Sequence, residues 1–185
     1  MTKSYIGGIL VGVAVTVLVA SEFHNAPAYG SDSGGEDVVV KVIEGWRDKE
    51  YGLVSKAMAG LGGGVVATQW YSDIQTLKSH KNVAVKILIK TVSNRQNDVN
   101  LRIYAMAALE EFGEEAAEIV PILVNIIKTE KNLRYCAVAC ISQMGKKAAP
   151  AIEMLEDLQK AAKGDDEIFL KILISFAIRN IKEAK

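Results

Sequence analysis

The chain has 185 residues, half of them hydrophobic but only 6% aromatic, and its 22 basic side chains balance 22 acidic ones. That length allows one domain or one short repeat array behind a leader, and a core of Ala, Val, Ile and Leu suits closely packed helices. Neutral charge excludes non-specific polyanion binding as a main activity, so nucleic acid is not an expected partner.

The N-terminus places one Lys (Lys3) ahead of the uncharged run Ile6 to Ala20, and Ala26-Pro27-Ala28 follows as a small-x-small cleavage site. Residues 1–28 thus predict a signal peptide. The alternative is an uncleaved anchor, because the 17 residues from Tyr5 to Ser21 reach the short end of a membrane span. Both readings put the rest of the chain outside the cytoplasm, periplasmic or secreted, or attached to the membrane by its N-terminal segment. Gly8 and Gly12 form a GxxxG, a spacing common by chance in Gly-rich leaders. Residues 29–36 predict a linker, flexible through Gly30-Ser-Asp-Ser-Gly-Gly-Glu36.

Residues 37–80 predict two amphipathic helices. The first, within Asp37 to Ala59, carries Val38, Val39, Val42, Ile43 and Trp46; the second, ending at Lys78, carries Trp70, Ile74 and Leu77. Between them Gly60-Leu-Gly-Gly-Gly64 lacks the Gly-Lys-Ser/Thr ending of a phosphate loop and predicts an interhelical loop. The pair fits a degenerate repeat covering the start of an array.

Residues 81–185 contain an internal match at a spacing of 32 residues. Asn100-Leu-Arg-Ile-Tyr-Ala-Met-Ala-Ala-Leu-Glu-Glu-Phe-Gly113 aligns with Asn132-Leu-Arg-Tyr-Cys-Ala-Val-Ala-Cys-Ile-Ser-Gln-Met-Gly145. Leu101, Ala105, Ala108, Leu109 and Phe112 fall on one helical face. Gly113 and Gly145 stand where a helix ends in a left-handed cap. A second helix follows each glycine, carrying Val120, Leu123 and Ile127, then Ile152, Leu155 and Leu158. Upstream, Val83 to Val92 predicts another second helix with Val85, Leu88 and Val92. Ile168 to Ile181 predicts a further first helix, capped by Asp165 or Asp166.

The pattern Leu-Arg-x-x-Ala-x-x-Ala-Leu, the closing Gly and the prolines Pro121 and Pro150 resemble HEAT repeats, closest to the short type named after phycobilisome lyases. The resemblance spans about residues 80–181 and implies an all-α solenoid of stacked helix hairpins. In the last unit Phe169 or Leu170 takes the place of the motif's Arg, as expected of a terminal cap.

Chemistry-bearing residues are sparse. Cys136 and Cys140 are four apart in an apolar stretch, which predicts two buried small hydrophobes. His24 and His80 have no clustered partners, so neither a metal site nor a catalytic triad is expected, and no cofactor. The acidic pairs Glu110-Glu111, Glu114-Glu115 and Asp165-Asp166 suit helix ends and turns. Glu114 and Glu115 occupy the places that Lys146 and Lys147 take one repeat later, so opposite charges are expected to meet there.

The expected function is therefore a non-enzymatic scaffold that binds a protein partner. In HEAT-like arrays the second helices line the concave surface. The offsets place Lys86, Pro121 and Glu153 in one column and Lys90, Asn125 and Asp157 in another, off the apolar stripe of Leu88, Leu123 and Leu155. Lys86, Lys90, Asn125, Glu153 and Asp157 are the candidate partner-binding residues. The alternative is a lyase or isomerase of the phycobilisome-lyase type, which an export segment disfavours because bilin attachment is intracellular. A membrane-tethered assembly factor is the third possibility.

Overall fold

A computed structural model describes residues 35–47, 64–164 and 167–184, without the side chains of 64–68. The predicted leader, most of the linker, residues 48–59 of the predicted first helix, residues 60–63 of the glycine-rich loop, and Asp165 and Asp166 lie outside the described residues. All regular structure among the described residues is helical. The chain divides into two units, residues 1–79 and 80–185.

In the first unit α1 (Gly35–Glu44) packs against α2 (Gly64–Ser79). The first helix is shorter than its apolar pattern predicts, because residues 45–47 form a turn. Val38, Val39 and Ile43 are buried, and so is Trp46 on that turn. Trp46 donates its indole N–H to Asp73 Oδ2 at 2.9 Å, while Gln69 donates to Asp73 Oδ1 at 2.8 Å. A buried carboxylate is tolerable only with such donors. The Trp46 and Trp70 rings sit 5.2 Å apart.

In the second unit the order is α3 (Lys81–Ser93), α4 (Val99–Glu110), a 3-10 helix (Gly113–Ile119) and α5 (Val120–Thr129). Then come α6 (Arg134–Ser142), a second 3-10 helix (Gly145–Ala151), α7 (Ile152–Ala161) and α8 (Ile168–Glu183). Helix α4 starts where Asp98 accepts hydrogen bonds from the N–H groups of Asn100 and Leu101, an N-cap that satisfies two otherwise unpaired donors. Gly113 and Gly145 have φ of +53° and +55°, the left-handed region predicted for them.

One predicted feature differs. The closely packed helix pairs are α3 with α4, α5 with α6, α7 with α8, α6 with α8 and α4 with α6, which places each close pairing between predicted units. Within a unit, the 3-10 helix packs on both α4 and α5 and bridges them. Pro121 stands at the start of α5 and Pro150 inside the second 3-10 helix. Lacking an N–H, a proline cannot donate in a continuous i→i−4 ladder, so it suits a helix restart.

The buried register is the same in three helices. Leu101, Ala105, Ala108 and Phe112 match Leu133, Ala137, Cys140 and Met144, and both match Leu170, Ile174, Ala177 and Ile181; all twelve are buried. This alignment sets Lys171, not Phe169 or Leu170, at the arginine position of the motif. Helix α4 packs on α6 and α6 on α8. Helix α8 turns Ile168, Phe169, Ile172 and Phe176 outward as exposed side chains, whereas a terminal cap requires a polar outer face.

Candidate functional site

The arginines of the repeated motif do structural work. Arg102 is 3% exposed and donates from Nε to the Val92 carbonyl at 2.8 Å, at the C-terminal end of α3. Arg134 donates from Nε to the Ile127 carbonyl at 2.8 Å, at the end of α5. Each supplies a positively charged donor to a helix C-terminus, where unpaired carbonyls and the helix dipole favour a cation.

Arg102 does more. Its Nη1 and Nη2 donate to the two Glu130 carboxylate oxygens at 2.6 and 3.1 Å, a bidentate pair. Arg95 approaches the same carboxylate, Nε to Oε1 at 3.6 Å, with a side chain 63% exposed. The Arg102 hydrogen bond holds the Glu130 carboxyl below the usual carboxylate range; burial pushes the other way, and the charges of Arg102 and Arg95 add to the lowering.

This cluster lines an open cleft of about 280 Å³. Ser93 and Arg95 edge it, Arg102 and Glu130 lie along its charged side, and Pro121, Ile122, Asn125 and Ile126 of α5 complete the lining. With two guanidinium groups and one carboxylate the cleft is net cationic. Its apolar side comes from Ile122 and Ile126. Its exposed Arg95 guanidinium can donate to an acceptor group that enters the cleft.

The predicted binding residues Lys86, Lys90, Asn125, Glu153 and Asp157, with Pro121, are all exposed. Leu88, Leu123 and Leu155, on the opposite side of the same helices, are fully buried. Only Pro121 and Asn125 line the cleft. Asp157 pairs with Lys160 at 3.2 Å on its own helix, an exposed contact worth about 0–1 kcal/mol. Sequence reasoning did not find Arg95 and Glu130. Arg102 carried a signal, its place in the repeated Leu-Arg, but its carboxylate partner lies 28 residues away outside the matched segment. Trp46 is 1% exposed and belongs to the core of the first unit.

The ion pairs expected between Glu114 or Glu115 and Lys146 or Lys147 do not form; each contact at this repeat boundary runs through a backbone group instead. The two 3-10 helices pack side by side. Glu114 accepts the backbone N–H of Lys146 at 3.0 Å, and Lys147 Nζ donates to the Glu114 backbone carbonyl at 3.2 Å. Glu115 instead pairs with Lys81 at 2.8 Å. The backbone route arises because Gly145 leaves room for a carboxylate: a Cβ there would collide with Glu114 Oε1.

Cys140 is buried as its apolar surroundings predict, whereas Cys136 is only half-buried. Among the described residues no group of three His, Cys, Asp or Glu side chains could hold a metal ion. Among them, too, no helix is long and apolar enough to cross a membrane. No family model matches the chain, nor does any curated protein or solved structure.

Proposed function

We propose that this chain is an extracytoplasmic scaffold of the HEAT-like type, a solenoid of stacked helix hairpins that acts by binding a protein partner. The docking surface is formed by the second helices α3, α5 and α7. Lys86, Lys90, Asn125, Glu153 and Asp157 contact the partner, and the cleft beside Asn125 receives one of its polar segments.

The observation that carries this reading is the division of those three helices into a buried and an exposed side. Leu88, Leu123 and Leu155 hold the core, and the five polar residues stand in water. A helical stack stabilised by neighbour contacts leaves such a surface free to bind without loss of the fold. The apolar N-terminal run supports a location outside the cytoplasm, with the partner there as well.

The test is co-purification of the partner with the native protein, then with the double variant Asn125→Lys and Asp157→Lys. The expected outcome is loss of capture with helicity and melting unchanged. Leu123→Ala, by contrast, removes a buried side chain and costs about 2–5 kcal/mol of stability. Capture by the double variant equal to that of the parent overturns the assignment of this face. Protection of a C-terminal tag from external protease in intact cells overturns the location.

A further inference from the structure

We infer that the partner segment docked on this surface is acidic: one side-chain carboxylate enters the cleft at Arg95, and others pair with Lys90 and Lys86 along α3. The inference rests on the docking surface assigned above and names the chemistry of what binds there.

The argument begins with cations that lack a counter-charge. Lys81 pairs with Glu115, Lys160 with Asp157 and Lys182 with Glu156. Helix α3 carries Lys86 and Lys90 as well as Lys81, and it has no acidic residue of its own. Lys86 and Lys90 are exposed, and no carboxylate among the described residues pairs with either. With Ser93 they follow at i, i+4 and i+7, one exposed stripe of the helix. Ser93 edges the cleft, so the stripe runs from two bare ammonium groups to the Arg95 guanidinium.

Inside the cleft the two arginines are not equivalent. Glu130 accepts from both Nη groups of Arg102 and so cancels the buried charge. Arg95 stands 3.6 Å from the same carboxylate, beyond hydrogen-bond length, and its one hydrogen bond, to Thr129 Oγ1, is 3.4 Å long. A guanidinium has five N–H donors, so most of those on Arg95 are open to an acceptor. The surplus in the cleft is a single positive charge, which one carboxylate matches.

Other anions fit less well. A phosphate dianion would bring a second negative charge toward Glu130. No aromatic ring lines the cleft for a nucleic-acid base to stack on. Pro121 and Ile122 instead give apolar surface to the stem of an acidic side chain. The Lys86 and Lys90 positions lie about 6 Å apart along the helix. A peptide with several acidic residues can therefore engage them and Arg95 together, which a lone small carboxylate cannot.

The test measures fluorescence anisotropy of the full chain with labelled octapeptides. The first alternates glutamate with serine and has an amidated C-terminus. It is expected to bind with a Kd on the order of 100 μM, weakening as salt is raised. The same peptide with glutamine for glutamate should bind at least about tenfold more weakly. Arg95→Gln, and separately Lys86→Gln with Lys90→Gln, should each weaken the glutamate peptide about fivefold or more with circular dichroism unchanged. Lys163→Gln removes the same charge from the exposed turn after α7 and should change binding less than about twofold.

The inference is overturned if the glutamine peptide binds as well as the glutamate peptide, or if Arg95→Gln binds it as the parent does. It is also overturned if a glutamine peptide with a free C-terminal carboxylate, or a single-stranded oligonucleotide, binds as tightly as the glutamate peptide. The docking surface is judged separately, by capture of the native partner. In the double variant the Lys stem at position 125 fills part of the cleft, so capture is lost despite the added charge. If capture is lost there while the glutamate peptide fails to bind the parent, this inference alone fails. If capture persists, the docking surface fails and the inference with it.

Discussion

Residues 100–113 and 132–145 share Leu-Arg, the small residues that follow and a closing left-handed glycine, yet their arginines differ in surroundings. Arg102 spans a helix C-terminus and the Glu130 carboxylate and is almost fully buried. Arg134 makes the same carbonyl contact from a half-buried position. The residue 32 positions after Glu130 is Ala162, itself buried. One motif thus serves as a helix-end cap in both places, and only one copy adds an ion pair. The repeated residues set the backbone, and single unrepeated residues decide what each copy holds.

The third copy reverses the contact. Lys171 stands at the arginine position, and Gln159, which takes the place of Val92 and Ile127, donates to the Lys171 carbonyl and to Ser175. The bond between second helix and following first helix is kept, with the donor moved to the other side.

The largest predicted difference between the two copies comes from truncating their arginines. Arg102→Ala leaves Glu130 largely enclosed without its main partner and costs about 3 kcal/mol. Arg134→Ala costs about 1 kcal/mol, the worth of one hydrogen bond. Chemical denaturation of the two variants side by side checks the ratio; equal losses break the comparison.

The glycines separate next. Both Gly113→Ala and Gly145→Ala force a side chain into the left-handed region, at about 1 kcal/mol each. At Gly113 the added Cβ meets Gln143 O at 3.4 Å, an ordinary contact, whereas at Gly145 it collides with the Glu114 carboxylate. The exposed Glu114 side chain can swing aside at the cost of its bond to the Lys146 N–H, so Gly145→Ala is expected to melt only slightly lower than Gly113→Ala. Replacing Glu114 with Ala in the same chain narrows that gap, because the collision disappears.

Acid sharpens the comparison in a smaller way. The folded-state value of the Glu130 carboxyl is lowered, so the stability it adds is fully present above the ordinary carboxylate value of about 4.3 and declines as pH falls through the lowered one. Parent and Glu130→Gln should differ by a constant amount from pH 7 to about pH 5 and converge below that range. A difference that persists at pH 2 contradicts the pairing. The smallest effect belongs to Lys146 and Lys147. The Glu114 carboxylate is held by a backbone N–H, so reversing both lysines changes stability by less than about 1 kcal/mol.

Much of the helical order is legible in the sequence. Apolar spacing marked α3 to α8, and the two glycines marked the ends of α4 and α6, because a left-handed cap favours that residue type. The 3-10 helices were not legible. Glu-Glu-Ala-Ala-Glu after Gly113 has helix-favouring composition throughout, and only the prolines at 121 and 150 hint that the helix restarts. Asp73 escaped notice because its indole donor lies 27 residues away. Glu130 escaped for the same reason: a long-range ion pair leaves no local periodicity. At the candidate site the exposure of Lys86, Lys90, Asn125, Glu153 and Asp157 followed from the apolar stripe opposite them. The cleft did not, because it depends on Arg95 and Glu130 meeting across a loop.

The comparison between the two copies stands most directly on the bond between Arg102 and Glu130, and a double-mutant cycle measures it. Stability is determined by denaturation for the parent, Arg102→Gln, Glu130→Gln and the double variant at pH 7, and again for Arg134→Gln with Ala162 untouched. The expected result is a coupling of about 2 kcal/mol between Arg102 and Glu130, with each single variant costing more than Arg134→Gln. A coupling below about 0.5 kcal/mol, or an Arg134→Gln loss as large as that of Arg102→Gln, contradicts it.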